Sequence, residues 1–155
     1  MPDSPSLPDS LIGKTLPTLT LDCSTGKPVQ FLNDLKGHWT LLYFYPKDDT
    51  PGCTRQACGY RDQLKDFQKN GITIYGVSRD DLPSHEKFIK KYQLNFPLLS
   101  DPESKLGSFL GASHGKSTSR DSFLIDPEGK VKEVWRKVRP DKTVQETLSG
   151  ARGHL

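Results

Sequence analysis

Apolar runs separated by polar and turn-forming segments predict a chain that alternates between strands and helices. Short, nearly continuous apolar runs are typical of buried strands. Strands are predicted over residues 15–21, 39–45, 72–78, 97–99, 122–126 and 131–136. Helices are predicted over residues 51–69, 83–92, 104–110 and 143–148. This order of elements is typical of an α/β layer fold.

Two local patterns narrow the α/β prediction. The sequence Asp126-Pro127-Glu128-Gly129 is typical of a tight turn, so the last two strands are expected to form a hairpin. Upstream, a strand, a cysteine-bearing helix and another strand follow one another, and a helix follows the hairpin. This layout predicts a thioredoxin-like fold with a central mixed β-sheet flanked by helices. Such a fold carries many activities, so function has to be argued from individual residues.

The predicted helix over residues 51–69 begins beside a cysteine. Thr50 is suited to cap this helix and Pro51 to open it, since the missing N–H of proline costs nothing at the first helical position. Cys53 then lies in the first turn, near unpaired backbone N–H groups and the positive end of the helix dipole. Both effects favour thiolate over thiol, so Cys53 is a candidate reactive cysteine.

The spacing of apolar residues predicts which way Cys53 faces. At about 100° per residue, Cys53 shares one helical face with Ala57, Tyr60, Leu64 and Phe67. Cys53 is therefore expected to point inward, toward the floor of a pocket.

A second cysteine, Cys58, follows five residues later. In an intact helix it is rotated about 140° from Cys53 and displaced about 7.5 Å along the axis, which puts the two Cα atoms about 9 Å apart. A disulfide requires a Cα separation of about 4.4–6.8 Å. A disulfide between Cys53 and Cys58 therefore requires the start of the helix to unwind.

Composition restricts the class of protein. The chain has 155 residues, 33% hydrophobic and 26% charged, and no apolar run is long enough to span a membrane. We expect one globular domain over residues 11–155 after a flexible arm over residues 1–10, whose polar, proline-rich sequence is typical of neither a signal peptide nor a transit helix. Three cysteines, two of them close together, suit intracellular redox chemistry. A cytoplasmic location without membrane association is predicted.

The charge balance does not indicate a nucleic-acid partner. With 22 basic and 19 acidic side chains, the net charge is only +3. The most basic stretch, residues 130–142, contains Glu133 and Asp141 and is interpreted as a solvated strand face. No nucleic-acid partner is therefore predicted.

Several motifs together resemble one protein family. Residues 44–54 read FYPKDDTPGCT, which resembles the active-site motif Pro-x-x-x-Thr-x-x-Cys of the peroxiredoxins. The match is strongest to their peroxiredoxin Q branch, also called bacterioferritin comigratory protein, whose members often carry a second cysteine five residues later. The resemblance extends over about residues 10–148. Its further matches are GVS at 76–78, SHEKF at 84–88, FPLLSD at 96–101 and RDSFLID at 120–126.

The resemblance implies an activity for the cysteine pair. It implies a thiol peroxidase that reduces hydrogen peroxide and organic hydroperoxides, with Cys53 as the peroxidatic cysteine that becomes a sulfenic acid. It further implies that Cys58 resolves this acid to an intramolecular disulfide, which thioredoxin or a similar dithiol protein then reduces. No cofactor or metal is predicted. A resolving cysteine on the same chain favours a monomer.

The same resemblance assigns roles to other residues. Thr50 would hold the peroxide with its hydroxyl, and Pro46 would shield the site. Arg120 would approach from another strand to stabilise the thiolate and the transition state. Backbone N–H groups near Gly52 and Cys53 would supply neutral donors. These groups suit the reaction, since negative charge develops on the leaving oxygen when a thiolate attacks an O–O bond.

Other interpretations of the cysteine pair remain open. They are inert core thiols, a zinc site, and a redox sensor or signalling module whose changed helix is read by a partner protein. A zinc site is disfavoured because the four histidines lack ligand spacing. Pure dithiol exchange is disfavoured because thioredoxin-type oxidoreductases place their cysteines closer together. Thr50 together with Arg120 favours the peroxidase over the sensor, although either residue alone has an ordinary structural reading as a helix cap or a surface ion-pair partner.

Two further regions lie outside these motifs. Cys23 stands beside the turn sequence Ser24-Thr25-Gly26 and is interpreted as a partly exposed bystander, with a second resolving thiol as the alternative. Residues 114–119 are interpreted as a polar, flexible segment near the pocket entrance.

Overall fold

A seven-stranded mixed β-sheet forms the centre of the computed structural model, which describes residues 9–155. The strands are β1 (Thr20–Cys23), β2 (Val29–Gln30), β3 (Trp39–Phe44), β4 (Ile72–Ser78), β5 (Leu98–Ser100), β6 (Ser113–His114), β7 (Ser117–Thr118), β8 (Ser122–Ile125) and β9 (Val131–Trp135). The helices are α1 (Pro51–Lys69), α2 (Leu82–Tyr92), α3 (Lys105–Leu110) and α4 (Thr143–Arg152). The sheet order is β2-β1-β5-β4-β3-β8-β9, and β6 pairs with β7 in a separate hairpin.

The sheet is mixed because β4 runs parallel to β3 and β5, whereas the other neighbouring strands are antiparallel. β8 and β9 form the predicted hairpin, and Gly129 in its turn has a φ of +86°, which glycine adopts without strain. The mixed sheet and its flanking helices confirm the predicted α/β class.

Strand β3 lies inside the sheet, and its side chains alternate between two cores. Leu41 and Tyr43 pack on the side that carries α1, α2 and α4. Leu42 and Phe44 pack on the side that carries α3. All four side chains are buried, which explains why this segment is continuously apolar. Because β3 leads into the loop before α1, the centre of the sheet determines where α1 begins.

Three short strands and one strand position differ from the prediction. β2, β6 and β7 have two residues each, too few for a polar–apolar alternation to reveal them. The segment expected to be flexible, residues 114–119, overlaps the β6–β7 hairpin, in which Ser113 lies opposite Thr118. The first strand lies later than predicted: Thr15 forms only an isolated bridge with Lys130, and Pro17 has no N–H to donate to a ladder.

Helix α4 extends past its predicted end at residue 148 and includes Gly150. Glycine usually weakens a helix, but here it permits close packing on β9. A Cβ at Gly150 would lie only 2.5 Å from a ring carbon of Trp135. Gly150, which in the sequence suggests that the helix ends, therefore allows α4 to pack closely on β9.

Residues 1–8 of the predicted arm lie outside the described residues. Asp9 lies within them, and its carboxylate accepts a hydrogen bond from Arg136 Nε at 3.0 Å. Over residues 9–155, no helix combines the length and the apolar character needed to cross a bilayer. The boundary at residue 11 and the cytoplasmic location stay predictions.

Candidate active site

The start of α1 has free backbone donors. The helix begins at Pro51, as predicted, and its first hydrogen bond runs from the Thr54 N–H to the Thr50 carbonyl at 2.8 Å. Within the described part of the chain, no acceptor meets the N–H of Gly52 or Cys53. These donors lie at the positive end of the helix dipole, where they can bind an anion or a polarised oxygen.

Thr50 occupies the N-cap position, but its side chain does not cap the helix. The hydroxyl instead donates to the Lys47 carbonyl at 2.9 Å. A side-chain cap was therefore the wrong expectation, because the hydroxyl is engaged by a carbonyl of the preceding loop. The one hydroxyl proton is used in this bond, and the oxygen lone pairs remain able to accept hydrogen bonds.

Cys53 faces the core, as the helical pattern predicts, and is 1% exposed. The residues predicted to share its face are all buried, namely Ala57, Tyr60, Leu64 and Phe67. Gln56 is also completely buried beside them. Gln56 was not predicted to lie on this face, because the pattern that predicts a buried face consists of apolar residues and glutamine is polar. Its position three residues after Cys53, one helical turn away, is the signal that could have identified it.

Arg120 brings a fixed positive charge to Cys53 from a distant part of the chain. Its Nη1 donates to Cys53 Sγ at 3.2 Å and to Gln56 Oε1 at 3.4 Å. The sheet makes this contact possible, since β8 begins two residues after Arg120 and pairs with β3, which leads toward α1. The structure thus brings together Arg120 and Cys53, which only the family resemblance had linked.

The backbone around Arg120 is held by the loop that follows β9. The Val138 N–H donates to the Arg120 carbonyl at 2.8 Å. The neighbouring carboxylate of Asp121 is buried and accepts from Arg136 Nη1 at 2.9 Å and from the Lys137 N–H at 2.8 Å. These bonds fix the backbone from which the Arg120 side chain extends.

Gly52 leaves room for the guanidinium at the helix start. A Cβ at this position would lie 2.6 Å from Arg120 Nη2 and 3.2 Å from its Cζ. Such distances are shorter than van der Waals contact, so any larger residue displaces Arg120. Glycine at position 52 thus allows the guanidinium to lie where it contacts Cys53.

We predict that Gly52→Ala slows the reaction of Cys53 with peroxide about tenfold or more, because the added methyl moves Arg120 away from the sulfur. Alanine favours helix formation, so helix stability is not the cause. The measurement is single-turnover oxidation by hydrogen peroxide in stopped flow. In Arg120→Ala protein the same substitution should have almost no effect. An equal slowing in both backgrounds would show that the clash with Arg120 is not responsible.

Buried phenols lie in the core cluster that contains Cys53. The rings of Tyr43 and Tyr60 stack with centroids 4.6 Å apart, and Tyr60 Oη lies 3.1 Å from Thr147 Oγ1 of α4. Burial, reinforced by the proximity of Tyr60 and Cys53, raises the pKa of Tyr43 well above its usual value. Burial likewise raises the pKa of Tyr60. Both phenols therefore stay neutral near neutral pH and place no negative charge beside the sulfur.

The remaining candidate residues lie farther from this contact. Cys58 is half-buried, α1 is unbroken through it, and all three cysteines are free. Pro46 is exposed in the loop between β3 and α1. Cys23 is 2% exposed in β1 opposite Leu99, so its predicted partial exposure was wrong: it lies on the inward-facing side of the strand. Across residues 9–155, no three His, Cys, Asp or Glu side chains are grouped to hold a metal ion.

Known proteins match this chain along most of its length. The AhpC/TSA family model matches residues 12–134. The putative peroxiredoxin bcp of Coxiella burnetii is 41% identical over 145 residues, which cover 88% of this chain and 95% of that protein. The chloroplastic peroxiredoxin Q of Sedum lineare is 41% identical over 140 residues, covering 88% of this chain and 75% of that protein. The solved structure of the Xanthomonas campestris bacterioferritin comigratory protein matches with a TM-score of 0.83 and 35% identity, covering 88% of this chain and 91% of that one.

These matches confirm the resemblance and the fold that the sequence predicted. The structural likeness establishes the thioredoxin-like fold, and the sequence likeness establishes the branch. With the family model spanning most of the chain, the protein belongs to the AhpC/TSA family and is a thioredoxin-fold peroxiredoxin, a thiol peroxidase, of the peroxiredoxin Q/Bcp branch.

Proposed function

We propose that this peroxiredoxin reduces hydrogen peroxide and organic hydroperoxides with Cys53 as the attacking thiolate, Cys58 as the resolving thiol, and thioredoxin or a similar dithiol protein as the reductant. The observation that carries the proposal is the 3.2 Å contact between Arg120 Nη1 and the buried Cys53 Sγ. A permanent cation held against a sulfur at a helix start is the environment of a reactive cysteine and not of an inert core thiol.

The first step is attack of the Cys53 thiolate on the terminal oxygen of the hydroperoxide. An S–O bond forms and the O–O bond breaks, so the sulfur is oxidised to a sulfenic acid and the leaving oxygen takes the electron pair. That oxygen then takes up a proton and departs as water or an alcohol. Arg120 and the free N–H groups of Gly52 and Cys53 stabilise the charge that develops, because they are in place before the reaction begins.

Thr50 has a specific role in this scheme. Its hydroxyl proton is already donated to the Lys47 carbonyl, so the oxygen acts toward the substrate as an acceptor. The oxygen under attack carries an O–H that can donate to it in hydrogen peroxide and in alkyl hydroperoxides alike, and in an alkyl hydroperoxide the leaving oxygen has no proton to give. Thr50 therefore orients the peroxide by its O–H end. Exposed Pro46 borders the same loop and would shield the bound peroxide from the solvent side.

The second step joins the two cysteines. The Cys58 thiol attacks the sulfenic sulfur, a disulfide forms, and the oxygen leaves as water. An external dithiol then reduces the disulfide by exchange, becoming oxidised itself. One chain supplies both sulfurs, so a monomer suffices for the cycle.

The substrate range is supported by a relative. The Xanthomonas campestris bacterioferritin comigratory protein is described as having alkyl peroxide reduction activity. We extend that substrate class to this chain because the buried cysteine and its arginine would act on the O–O bond, which hydrogen peroxide and alkyl hydroperoxides share. A slow redox sensor would not need Arg120 held against the sulfur, so the contact favours the enzyme.

The proposal predicts that Arg120→Ala and Thr50→Val each slow Cys53 oxidation by about 2–4 kcal/mol in the transition state, or about 30- to 900-fold. Arg55→Ala is the matched control: Arg55 is exposed two residues after Cys53, so it removes a nearby charge that does not touch the site. The rate of Cys53 oxidation is measured in single turnover for each variant. Steady-state peroxide turnover is then measured with thioredoxin as the reductant. A variant that oxidises as fast as the unchanged protein would refute the role of its residue, and absence of turnover with any dithiol protein would refute the cycle.

A further inference from the structure

Two motifs of the branch, FYPKDDTPGCT and SHEKF, meet through side chains that the proposed reaction does not use. Asp48 of the first motif and His85 of the second are buried, and Asp48 Oδ2 lies 2.7 Å from His85 Nδ1. Ser84 Oγ donates to the same oxygen at 2.9 Å. Tyr45 Oη donates to Asp48 Oδ1 at 2.5 Å. The Asp48 carboxyl thus bonds to three side chains: Tyr45, which follows the end of β3, and Ser84 and His85 of α2.

The other side of the imidazole fixes the ring as well. His85 Nε2 lies 3.0 Å from the Leu99 carbonyl of β5, which can only accept, so Nε2 carries a proton. On the opposite side of the ring, the 2.7 Å distance between His85 Nδ1 and Asp48 Oδ2 is that of a short hydrogen bond. Both oxygens of Asp48 have partners, as a buried carboxyl requires. The pair therefore ties the loop after β3 to α2 and to the sheet.

The loop over residues 46–49 depends on such side-chain bonds for its position. Among the residues that the structure describes, no backbone-to-backbone hydrogen bond joins this loop to the rest of the molecule. The Asp48 N–H of this loop is held by a distant side chain, since it donates to Asp80 Oδ2 at 2.8 Å. Asp49 accepts from Lys91 Nζ at 2.8 Å and from Tyr92 Oη at 2.7 Å, but Asp49 and Lys91 are 42% and 58% exposed, so water competes for these bonds. Asp48 is therefore the buried anchor of the loop, and Asp49 is an exposed one.

The loop in turn determines where the Thr50 hydroxyl lies. Thr50 donates to the carbonyl of Lys47, the residue next to Asp48, so a shift of Asp48 moves that carbonyl and the hydroxyl with it. We propose that Asp48, held by His85, is a positioning residue that places the Thr50 hydroxyl to accept the O–H of the peroxide. The inference rests on the role of Thr50 in the proposed function. Asp48 itself touches neither Cys53 nor the substrate in this scheme.

The test separates peroxide handling from thiol reactivity. In Cys58→Ser protein, oxidation of Cys53 by hydrogen peroxide is timed alongside its alkylation by iodoacetamide, which needs no peroxide-binding hydroxyl. Asp48→Asn is expected to slow oxidation about 10- to 100-fold and to change alkylation by less than about twofold. Asp49→Asn, the same change at the exposed carboxylate of the same loop, is expected to leave both rates within about twofold. Equal slowing of oxidation and alkylation by Asp48→Asn would overturn the proposal.

A double-variant comparison tests whether Asp48 acts through Thr50. Thr50→Val is expected to slow oxidation much less in Asp48→Asn protein than in protein with Asp48 intact, because a misplaced hydroxyl contributes little. Equal effects in both backgrounds would overturn the proposal. If Thr50→Val has no effect even with Asp48 intact, Thr50 does not orient the peroxide, and the proposal that Asp48 positions it is refuted as well. If Cys53 in otherwise unchanged protein reacts no faster than free cysteine, the proposed function itself fails.

Tyr45→Phe disturbs the Asp48 carboxyl less than Asp48→Asn does, and it replaces that variant if Asp48→Asn does not fold. It removes one donor to Asp48 Oδ1 and leaves the carboxyl and His85 in place. Burial raises the pKa of Tyr45 well above its usual value, so no charge is lost with the hydroxyl. We expect oxidation to slow about 3- to 10-fold, with alkylation unchanged within about twofold. An oxidation rate equal to that of the Cys58→Ser parent would overturn the proposal.

Discussion

Cys53→Ser is expected to reduce peroxide turnover to less than about a hundredth of that of the unchanged protein, since a serine hydroxyl is not ionised near neutral pH and is a weak nucleophile. The fold should persist, because the substitution is small. Arg120 Nη1, now 3.2 Å from the sulfur, can donate to the new oxygen, so the buried hydroxyl has a partner. Peroxide consumption is measured together with circular dichroism, which verifies the fold.

Two other cysteine variants serve as controls for Cys53→Ser. Cys23→Ala removes a thiol that is equally buried but lies in β1, so it should retain full turnover. Cys58→Ser should be oxidised normally in the first turnover and then stop, with a sulfenic acid accumulating on Cys53. Turnover by Cys53→Ser above about a hundredth of normal would contradict the assignment of the attacking sulfur.

Features that depend on local sequence were predicted closely. α1 begins and ends at the predicted residues because Pro51 opens it and Gly71, with a φ of +71°, follows its end. β4 matches its predicted bounds because its apolar run is bordered by polar residues on both sides. The inward direction of Cys53 follows from helical periodicity alone, which needs no knowledge of the rest of the fold.

Features that depend on tertiary contacts could not be predicted in this way. Arg120 lies 67 residues from Cys53 along the chain, and only the family resemblance connected the two. The direction of the Thr50 hydroxyl depends on the path of its loop, which in turn depends on Asp48 and His85, 37 residues apart. No local pattern encodes a contact between a loop and the helix that packs over it. Local sequence patterns therefore predicted where Cys53 lies and which way it faces, but not the contacts that hold Arg120 and the Thr50 hydroxyl in place.

A disulfide between Cys53 and Cys58 is expected to abolish amide protection over residues 51–59 while the strands of the sheet keep theirs. α1 is intact from Pro51 onward, so the two Cα atoms start about 9 Å apart. A disulfide needs less than about 7 Å, so the first turns must open before the bond can form.

These first turns have little stability of their own. The Thr50 side chain does not cap them, and such a cap typically contributes about 1 kcal/mol. Gly52 and Gly59 each cost about 0.8–1 kcal/mol relative to alanine in a helix. Cys58 is only half-buried, so opening the helix costs little packing on its side, whereas Cys53, Gln56 and Ala57 are fully buried and lose contacts when the turns open. Local unwinding over this segment therefore costs much less than unfolding the domain.

The opening is expected to stop at Tyr60, which is completely buried. Its ring stacks on Tyr43 of β3, and its hydroxyl lies 3.1 Å from Thr147 Oγ1 of α4, so it fixes the rest of α1 to the sheet and to α4. Gly59, just before it, packs closely on Val144: a Cβ there would lie 2.8 Å from Val144 Cγ2. Unwinding up to Gly59 would consequently uncover Val144 and carry both sulfurs toward solvent, where a dithiol reductant can reach them.

The measurement is amide hydrogen exchange over residues 50–62 in the reduced and oxidised protein, with intact mass verifying one internal disulfide. Peroxide-treated Cys58→Ser protein is the matched control, since its Cys53 is oxidised but cannot form the disulfide, and it should keep the protection of the reduced state. Protection that is equal in both redox states would contradict the opening. A disulfide-linked dimer as the oxidised product would show that Cys58 does not resolve Cys53 within one chain. Loss of protection that runs past Tyr60 would instead show that the stacked tyrosine does not hold the remainder of α1.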